Sequence, residues 1–262
     1  MRIALGLEYD GAHFCGWQTQ PAACGVQDHV QQALGRFAAT PVEVIAAGRT
    51  DAGVHATAQV VHFDTEVLRD GQSWVRGTNT YLDPHARVLW ASEVAADFHA
   101  RYSARGRTYH YLLMNEPVAP ALLHGRVGWF HRPLDAEAMA AEARALLGEH
   151  DFSSFRDAQC QAKSPVRELR HASVERRGNL VVFRFTANAF LHHMVRNIVG
   201  ALVYVGCGRE PRGWLTELLG KRDRREAAPT FAPDGLYLTG VEYDQAYGLP
   251  AFRAPVVPGI AA

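Results

Sequence analysis

Residues 42–63 read VEVIAAGRTDAGVHATAQVVHF, two apolar runs separated by a polar loop. The runs have the β-branched content of strands. The loop carries Arg49 and Asp51 between two glycines that stand five residues apart. Glycines permit tight backbone paths, and loops between strands often carry binding or catalytic side chains. The segment therefore predicts a strand–loop–strand unit that presents a guanidinium and a carboxylate.

Outward from this segment, helical and strand patterns are mixed without the regular alternation of a doubly wound sheet. This mixture predicts an α+β fold. The alternating or β-branched runs predict strands at residues 2–9, 42–46, 59–63, 87–94, 108–114, 166–176, 180–187 and 236–243. The apolar spacing predicts helices at residues 26–37, 135–147, 188–202 and 211–219, with Asp135 and Asn188 as N-caps of the second and third.

The length of 262 residues fits one large domain or two small ones, taking about 150 residues per domain. Similar element types in both parts predict an N-terminal half at 1–105 and a C-terminal half at 106–244. A proline-containing tail at 245–262 is expected to be extended or mobile.

Composition excludes several classes of protein. With 48% hydrophobic and 21% charged residues, the chain is typical of a globular protein. No apolar run reaches the roughly 18 to 20 residues of a membrane span, and Glu8 and Asp10 interrupt any signal-peptide core. We therefore expect a cytoplasmic protein that has no membrane partner.

The four cysteines have neither metal-ligand nor redox spacing, so we expect reduced structural thiols and no metal site. They are Cys15, Cys24, Cys160 and Cys207.

Acidic and basic residues balance at 27 each, which argues against binding nucleic acid through bulk charge. Only Lys163 and Lys221 are lysines, and the rest of the basic residues are arginines. Genomic base composition explains such a bias, although arginine also suits bidentate phosphate contacts better than lysine does.

The loop sequence AGRTDAGVHA, residues 47–56, resembles the signature of the TruA family of tRNA pseudouridine synthases. Four further segments resemble the family in the same order, and the resemblance runs from about residue 2 to residue 244. These segments are YDG at 9–11 with GWQ at 16–18, FHAR at 98–101 with RTYHY at 107–111, DFSSF at 151–155, and FLHHMVRN at 190–197.

The resemblance implies two ferredoxin-like halves that form a continuous antiparallel sheet platform, with helices on one side and a central cleft. It implies isomerisation of uridine to pseudouridine at positions 38, 39 and 40 of the tRNA anticodon stem-loop. A homodimer is also implied, and neither a cofactor nor a metal is expected.

The resemblance assigns the reacting carboxylate to Asp51, which would attack C1′ of the ribose or remove the C2′ proton. Tyr109 would handle the C5 proton or stack on the uracil. A core position is the alternative for Tyr109, because it shares one strand face with Tyr111 and Leu113. Arg196 would pair with Asp51 and keep the carboxylate ionised.

Helical geometry places Arg196 roughly 120° from the apolar stripe, on the flank that also carries His192. His192 and its neighbour His193 are expected to point in different directions and therefore not to chelate one metal, and packing or RNA contacts are expected for them instead. His55 and His62 are interpreted as structural.

A stacked uridine has to be flipped out of its stem to react. The resemblance gives Arg49 the role of filling the vacated space. Arg101, Arg105 and Arg107, with Tyr102 among them, are candidate phosphate ligands, and Arg222, Arg224 and Arg225 form a second basic run. A solvated surface is the alternative for both clusters.

Two other functions compete with this one. A non-catalytic RNA-binding protein on a ferredoxin-like scaffold would need no acid in its loop. A small-molecule hydrolase would use paired carboxylates, such as Asp10 with Asp51. Only an isomerase would release the C5 proton of uridine.

Overall fold

The computed structural model describes residues 1–250, and these residues form two compact units. The first unit contains Met1–Gly106 and residues 237–250, and the second contains Arg107–Leu236. Residues 251–262 of the expected tail lie outside the described part of the chain.

Both units combine strands and helices, which confirms the α+β class. The strands are β1 (Arg2–Tyr9), β2 (Ile45–Ala46), β3 (His55–Asp64), β4 (Ala86–Val94), β5 (Gly106–Asn115), β6 (Gly128–Phe130), β7 (Gly148–Asp151), β8 (Val166–Arg177), β9 (Leu180–Ala187) and β10 (Leu236–Glu242). The α-helices are α1 (Val26–Ala38), α2 (Gly71–Tyr81), α3 (Ala136–Arg144), α4 (Met194–Gly206) and α5 (Trp214–Lys221). Within residues 1–250, no helix has both the length and the apolarity to cross a membrane.

The first unit has the β-α-β-β-α-β order of ferredoxin-like folds, from β1 to β4. β1 lies antiparallel between β3 and β4, with Leu5 opposite Val61 on one side and Ala91 on the other. β2 pairs antiparallel with β3, whereas β10 pairs parallel with it, Tyr237 lying opposite His55. The sheet is therefore mixed and not antiparallel throughout, because β10 enters along β3 in the same direction.

Helix α2 is not predicted by the sequence pattern. Its segment, GQSWVRGTNTY, has too few apolar residues for a clear helical period. The helix begins where the Asp70 carboxylate accepts the Ser73 N–H at 2.6 Å. It is held by Trp74, which is fully buried against the rings of Phe37 and Phe63. Tertiary packing thus supplies the stability that the local pattern does not indicate.

The second unit contains an antiparallel sheet in the order β5–β9–β8–β7, with β6 parallel to β5. The predicted hairpin of β8 and β9 is confirmed, since Arg177 pairs with Leu180 beside the turn. The predicted cap of α3 is confirmed as well, because the Asp135 carboxylate accepts the Ala138 N–H at 2.9 Å. α3 packs against β8 and α4.

The predicted start of α4 near Asn188 is wrong. The helix begins at Met194, and His193 occupies the N-cap with a left-handed φ of 60°. The Asn188 side chain instead accepts the N–H groups of Glu168 at 3.1 Å and Ala189 at 2.7 Å. This bond to the neighbouring strand engages the side chain that the sequence pattern assigned to a helix cap.

The prediction of four reduced thiols is wrong for two cysteines. Cys15 and Cys24 are joined by a disulfide, and Cys160 and Cys207 are free. The fold brings the first pair together because the Cys15 N–H donates to the Cys24 carbonyl at 2.9 Å, within the segment before α1.

The start of the expected tail is not extended. Gln245–Tyr247 forms a 3-10 helix that Asp244 caps through the Ala246 N–H at 2.9 Å. The Tyr247 ring packs edge-on against the buried ring of Phe98, with centroids 5.0 Å apart. Packing of this half-buried aromatic side chain orders a segment that its polar and proline content did not predict to fold.

Candidate active site

The loop with Arg49 and Asp51 connects β2 to β3 in the first unit. Arg49 is exposed and Asp51 is half-buried. The Asp51 carbonyl accepts the Val54 N–H at 3.1 Å, which closes a turn. Asp51 is the only acidic residue between Ala47 and Val54. One carboxylate and one guanidinium are thus presented on a single tight loop, as predicted.

The segment before α1 braces this loop from one side. The Trp17 N–H donates to the Thr50 carbonyl at 2.9 Å. Gly16 has a φ of +92°, and a Cβ at this position would lie only 2.9 Å from the Thr50 oxygen. Only glycine therefore fits this close approach without strain. The GWQ segment, noted in the sequence for its resemblance alone, supports the backbone next to Asp51.

His55 holds the other end of the loop. Its imidazole is 3% exposed and stacks on the ring of Tyr237, with centroids 4.5 Å apart. The Gly11 N–H donates to its Nδ1 at 3.0 Å, and the same nitrogen lies 3.1 Å from the Asp10 carboxylate. His55 is therefore structural, as interpreted, and it ties the start of β3 to the turn after β1.

The same contacts explain Asp10, the second carboxylate of the hydrolase alternative. Besides approaching His55, Asp10 accepts the Ala12 N–H at 3.2 Å and caps a 3-10 helix at Gly11–His13. These contacts give the Asp10 carboxylate a structural role in the turn, so the hydrolase hypothesis gains no support from it.

Tyr109 lies on β5 in the second unit, opposite Phe185 on β9. It is 8% exposed, and its ring meets the ring of Phe190 edge-on at 5.1 Å. Tyr109, Tyr111 and Leu113 are all buried, as expected for residues on one strand face. Burial is compatible with both interpretations of Tyr109, because a buried tyrosine packs through its ring and carries a polar hydroxyl at the ring's end.

Arg196 is the third residue of α4 and is half-buried. Its Nε donates to the Phe231 carbonyl at 2.8 Å, and the Phe231 N–H donates to the Arg196 carbonyl at 3.3 Å. One of the five guanidinium N–H donors is thus used to fix the plane of the group. His192 precedes the helix, so the prediction that it shares a helical flank with Arg196 is wrong.

His192 and His193 do not diverge as expected, because the left-handed backbone of His193 turns both rings to one carboxylate. Their Nδ1 atoms lie 3.5 Å and 2.8 Å from the two oxygens of Asp157, and the ring centroids are 3.9 Å apart. Burial opposes ionisation of Asp157, but hydrogen bonds from the Gln159 N–H and His193 hold its pKa below the usual value. The sequence contained no signal for Asp157.

The three candidate phosphate ligands do not share one environment. Arg101 and Arg105 belong to the first unit and Arg107 to the second. Arg105 forms an ion pair with Asp244, and Arg107 donates to the Asn188 carbonyl at 3.1 Å. Phosphate contacts therefore stay a prediction for all three.

The residues of the second basic run contact protein partners, and the side chains of Arg222 and Arg225 are 67% and 88% exposed, so both the phosphate contacts and the solvated surface stay predictions. The contacts are Arg222 with Asp151 at 3.7 Å, Arg224 with Asn197 at 3.1 Å, and Arg225 with Asp223 at 2.7 Å.

Comparisons with known proteins agree with these features. A family profile described as tRNA pseudouridine synthase matches residues 7–103 and 142–244. The chain is 59% identical over 261 residues to "tRNA pseudouridine synthase A" of Methylobacillus flagellatus, covering 100% of both chains. It is 56% identical to the protein of the same name from Nitrosomonas eutropha, covering 97% of this chain and 91% of the relative. A third relative of that name, from Dechloromonas aromatica, is 58% identical and covers 95% of each chain.

The lengths aligned with these relatives span both units of the chain. The chain therefore belongs to the tRNA pseudouridine synthase family of isomerases.

Proposed function

We propose that this isomerase converts uridines 38, 39 and 40 of the tRNA anticodon stem-loop to pseudouridine, with Asp51 as the reacting carboxylate. The observation that carries the proposal is the braced loop, in which Asp51 is the only acid between Ala47 and Val54. Hydrogen bonds at Thr50 and Val54 fix the backbone on either side of it. A fixed carboxylate beside an exposed arginine suits a reaction that requires one acidic group and a displaced base.

The reaction needs no oxidant and no second substrate. The bond from N1 of uracil to C1′ of the ribose breaks, the base turns over, and C5 bonds to C1′. The C5 proton then leaves, and N1 takes up a proton. Asp51 either attacks C1′ and is later displaced, or removes the C2′ proton and returns it. In both routes every heavy atom of the nucleotide is retained, the carbon-bound hydrogen at C5 is lost as a proton, and N1 gains a proton, so the balance requires no cofactor.

Two residues of the second unit receive supporting roles in the proposal. Arg196, whose guanidinium plane is fixed by Phe231, pairs with the Asp51 carboxylate through a charge-assisted hydrogen bond. Tyr109 guides the departing C5 proton through its hydroxyl and supports the uracil with its ring. These are the roles that the family resemblance implies.

The substrate is bound through arginines in the proposal. Arg49, exposed on the loop, fills the stack when the uridine is flipped out. Arg101, Arg105 and Arg107 contact phosphates. We further propose that the enzyme works as a homodimer in the cytoplasm, with one tRNA contacting both subunits.

The test is release of tritium from tRNA labelled at C5 of uridine. We expect Asp51→Asn to lose at least about 1,000-fold in turnover and to bind tRNA within about threefold of the parent, since phosphate contacts supply most of the affinity. Asp70→Asn is the matched control, because asparagine also caps helices, and it should keep the parent rate. Turnover of Asp51→Asn within about tenfold of the parent would contradict the assignment.

The same assay separates the competing functions. A non-catalytic RNA-binding protein would bind the labelled tRNA and release no tritium. A hydrolase would act on small molecules and would leave the label in place. The family membership does not favour either alternative.

A further inference from the structure

A buried hydrogen-bond network lies beneath the loop that carries Asp51. The hydroxyl groups of Tyr9 and Thr50 share a hydrogen bond of 2.8 Å. The Gln59 amide donates from Nε2 to the Tyr9 hydroxyl at 3.3 Å and to the Gly48 carbonyl at 2.7 Å. Tyr9, Thr50 and Gln59 are 4%, 7% and 0% exposed. The network thus holds Gly48 and Thr50, the two neighbours of Arg49. Thr50 is also the residue directly before Asp51.

These side chains are buried away from bulk solvent. A buried donor or acceptor left without a partner carries a desolvation cost, so the loop is fixed to the geometry that satisfies all of them. Burial raises the pKa of Tyr9 to about 12, although hydrogen bonds from Thr50 and Gln59 oppose the shift. The tyrosine therefore stays neutral, and the network keeps one form across the physiological pH range.

We propose that Tyr9, Thr50 and Gln59 are positioning residues, which place the Asp51 carboxylate by fixing Gly48 and Thr50 from below. This proposal rests on the catalytic role proposed for Asp51. A displacement of about 1 Å at a reacting group costs on the order of 100-fold in rate, so a small shift of this loop should affect chemistry more than binding.

The decisive pair of variants is Thr50→Val and Thr50→Ser. Valine has the shape of threonine without the hydroxyl, and serine keeps the hydroxyl. We expect Thr50→Val to lower kcat by about 10- to 100-fold while KM and the Kd for tRNA stay within about threefold. Thr50→Ser should remain within about threefold of the parent. Tyr9→Phe, which removes the other hydroxyl, should resemble Thr50→Val.

Thr78→Val is the matched control. Thr78 is fully buried on α2, and its hydroxyl has no hydrogen-bond partner among the described residues. The same substitution should therefore leave kcat unchanged. Thermal unfolding of each variant, measured alongside, ensures that activity is compared well below the unfolding temperature.

Asp51→Asn in the same assay distinguishes the two proposals. An active Asp51→Asn would overturn the proposed function itself. If Asp51→Asn is inactive while Thr50→Val keeps kcat within about twofold of the parent, the positioning role is wrong. Equal losses in Thr50→Ser and Thr50→Val would also overturn it, because the hydroxyl would not be the determinant.

A second observation concerns Tyr102, whose side chain is 76% exposed on a rigid turn of the first unit. The Ser103 N–H donates to the His99 carbonyl at 2.8 Å, and the Ser103 hydroxyl accepts the His99 N–H at 2.9 Å. His99 Nδ1 accepts the N–H groups of Arg101 and Tyr102, both at 3.2 Å. An exposed aromatic ring is thus presented on a backbone that is already ordered.

The surroundings of the ring fit a nucleobase. The His99 ring lies 4.3 Å from the Tyr102 ring, and the Arg101 guanidinium carbon lies 5.7 Å from its centroid. An ordered aromatic side chain beside a guanidinium combines stacking with attraction for phosphate. We infer that Tyr102 stacks on an unpaired base of the bound tRNA.

The test compares Tyr102→Ala and Tyr102→Phe in Kd for tRNA and for a fully paired RNA duplex. We expect the alanine variant to weaken tRNA binding by about 5- to 30-fold, and the phenylalanine variant to stay within about twofold. Duplex binding should not change, because its bases are not available for stacking.

Tyr81→Ala is the control for this pair. Tyr81 is 42% exposed and also lies beneath an arginine, Arg36, at 4.4 Å. The Tyr81→Ala variant should bind tRNA with the same Kd as the parent. The stacking role would be overturned if Tyr102→Ala bound tRNA like the parent. It would also be overturned if the variant lost as much affinity for the RNA duplex as for tRNA.

Discussion

Arg196 and Phe231 are joined by two hydrogen bonds in opposite directions. The Arg196 side chain donates from Nε to the Phe231 carbonyl at 2.8 Å, and the Phe231 N–H donates to the Arg196 carbonyl at 3.3 Å. The first bond fixes the plane of the guanidinium, and the second ties the helix backbone to the segment that receives it. The orientation of Arg196 is therefore determined by a residue far away in sequence.

Arg196→Lys should separate charge from geometry. Lysine keeps a positive charge but lacks the planar fork, so it cannot bond the Phe231 carbonyl and present a second donor pair in a fixed plane. We expect kcat to fall about as far as in Arg196→Ala, on the order of 100-fold, with the Kd for tRNA within about threefold. Steady-state kinetics of the two variants check this, and parental kcat in Arg196→Lys would mean that charge alone is sufficient.

Tyr109→Phe keeps the ring that packs on Phe190 and removes the hydroxyl. The variant should bind tRNA like the parent but stall after the glycosidic bond breaks, because the C5 proton has lost its acceptor. Tritium release and formation of an RNA adduct, followed in single turnovers, report these two steps. A parental rate of tritium release would leave Tyr109 with a stacking role only.

Arg49→Ala should depend on the state of the target uridine. An arginine that fills the space left by the flipped base adds little to the affinity for tRNA in its ground state. It mainly stabilises the complex in which the uridine is flipped out. Turnover should fall on a paired uridine and recover in part on an unpaired one, where flipping costs least. Single-turnover rates on the two stem-loops decide the matter, since equal losses on both would mean that Arg49 supports the chemistry directly.

Removing Arg101, Arg105 and Arg107 together should reduce the salt dependence of tRNA binding by up to about three phosphate equivalents. Each real contact contributes a slope of roughly 0.9 or somewhat less. Arg144→Ala, at an exposed position on α3, is the control and should leave the slope unchanged. An unchanged slope in the triple variant would show that the partners Asp244 and Asn188 retain their arginines when tRNA binds.

His62 should make the stability of the protein depend on pH. It is 2% exposed, and its Nδ1 accepts the Ala100 N–H at 3.1 Å. Burial, aided by the positive charges of His99 and Arg2, lowers the pKa of His62 to about 4. The pKa of a histidine in the unfolded chain is about 6.5. Between pH 6.5 and pH 4, the unfolded chain therefore binds a proton that the native state does not, so the free energy of unfolding falls as the pH falls through this window.

His62→Asn, which keeps an acceptor and does not titrate, should flatten this dependence by roughly 2 kcal/mol between pH 7 and pH 5. Urea unfolding of parent and variant at both values measures the difference. Identical slopes in the two proteins would exclude His62 as the source.

The sequence by itself determined the features that depend on neighbouring residues. β1 has the bounds 2–9 that its pattern predicts, and the β8–β9 hairpin forms around the predicted turn. The Asp51 loop lies between two strands, as its flanking apolar runs indicate. Strand alternation, turn residues and caps act over a few residues, so a local pattern contains the information needed to predict them.

Only the tertiary structure decided the features that depend on distant partners. α2 is held by Trp74 against Phe37 and Phe63, although its own pattern is weak. His193 adopts a left-handed conformation, and both His192 and His193 contact the carboxylate of Asp157. Asp157 lies thirty-six residues before His193 in the sequence. Burial selects such partners among all groups that the fold brings close, because a buried polar group needs a partner and an apolar side chain needs a core.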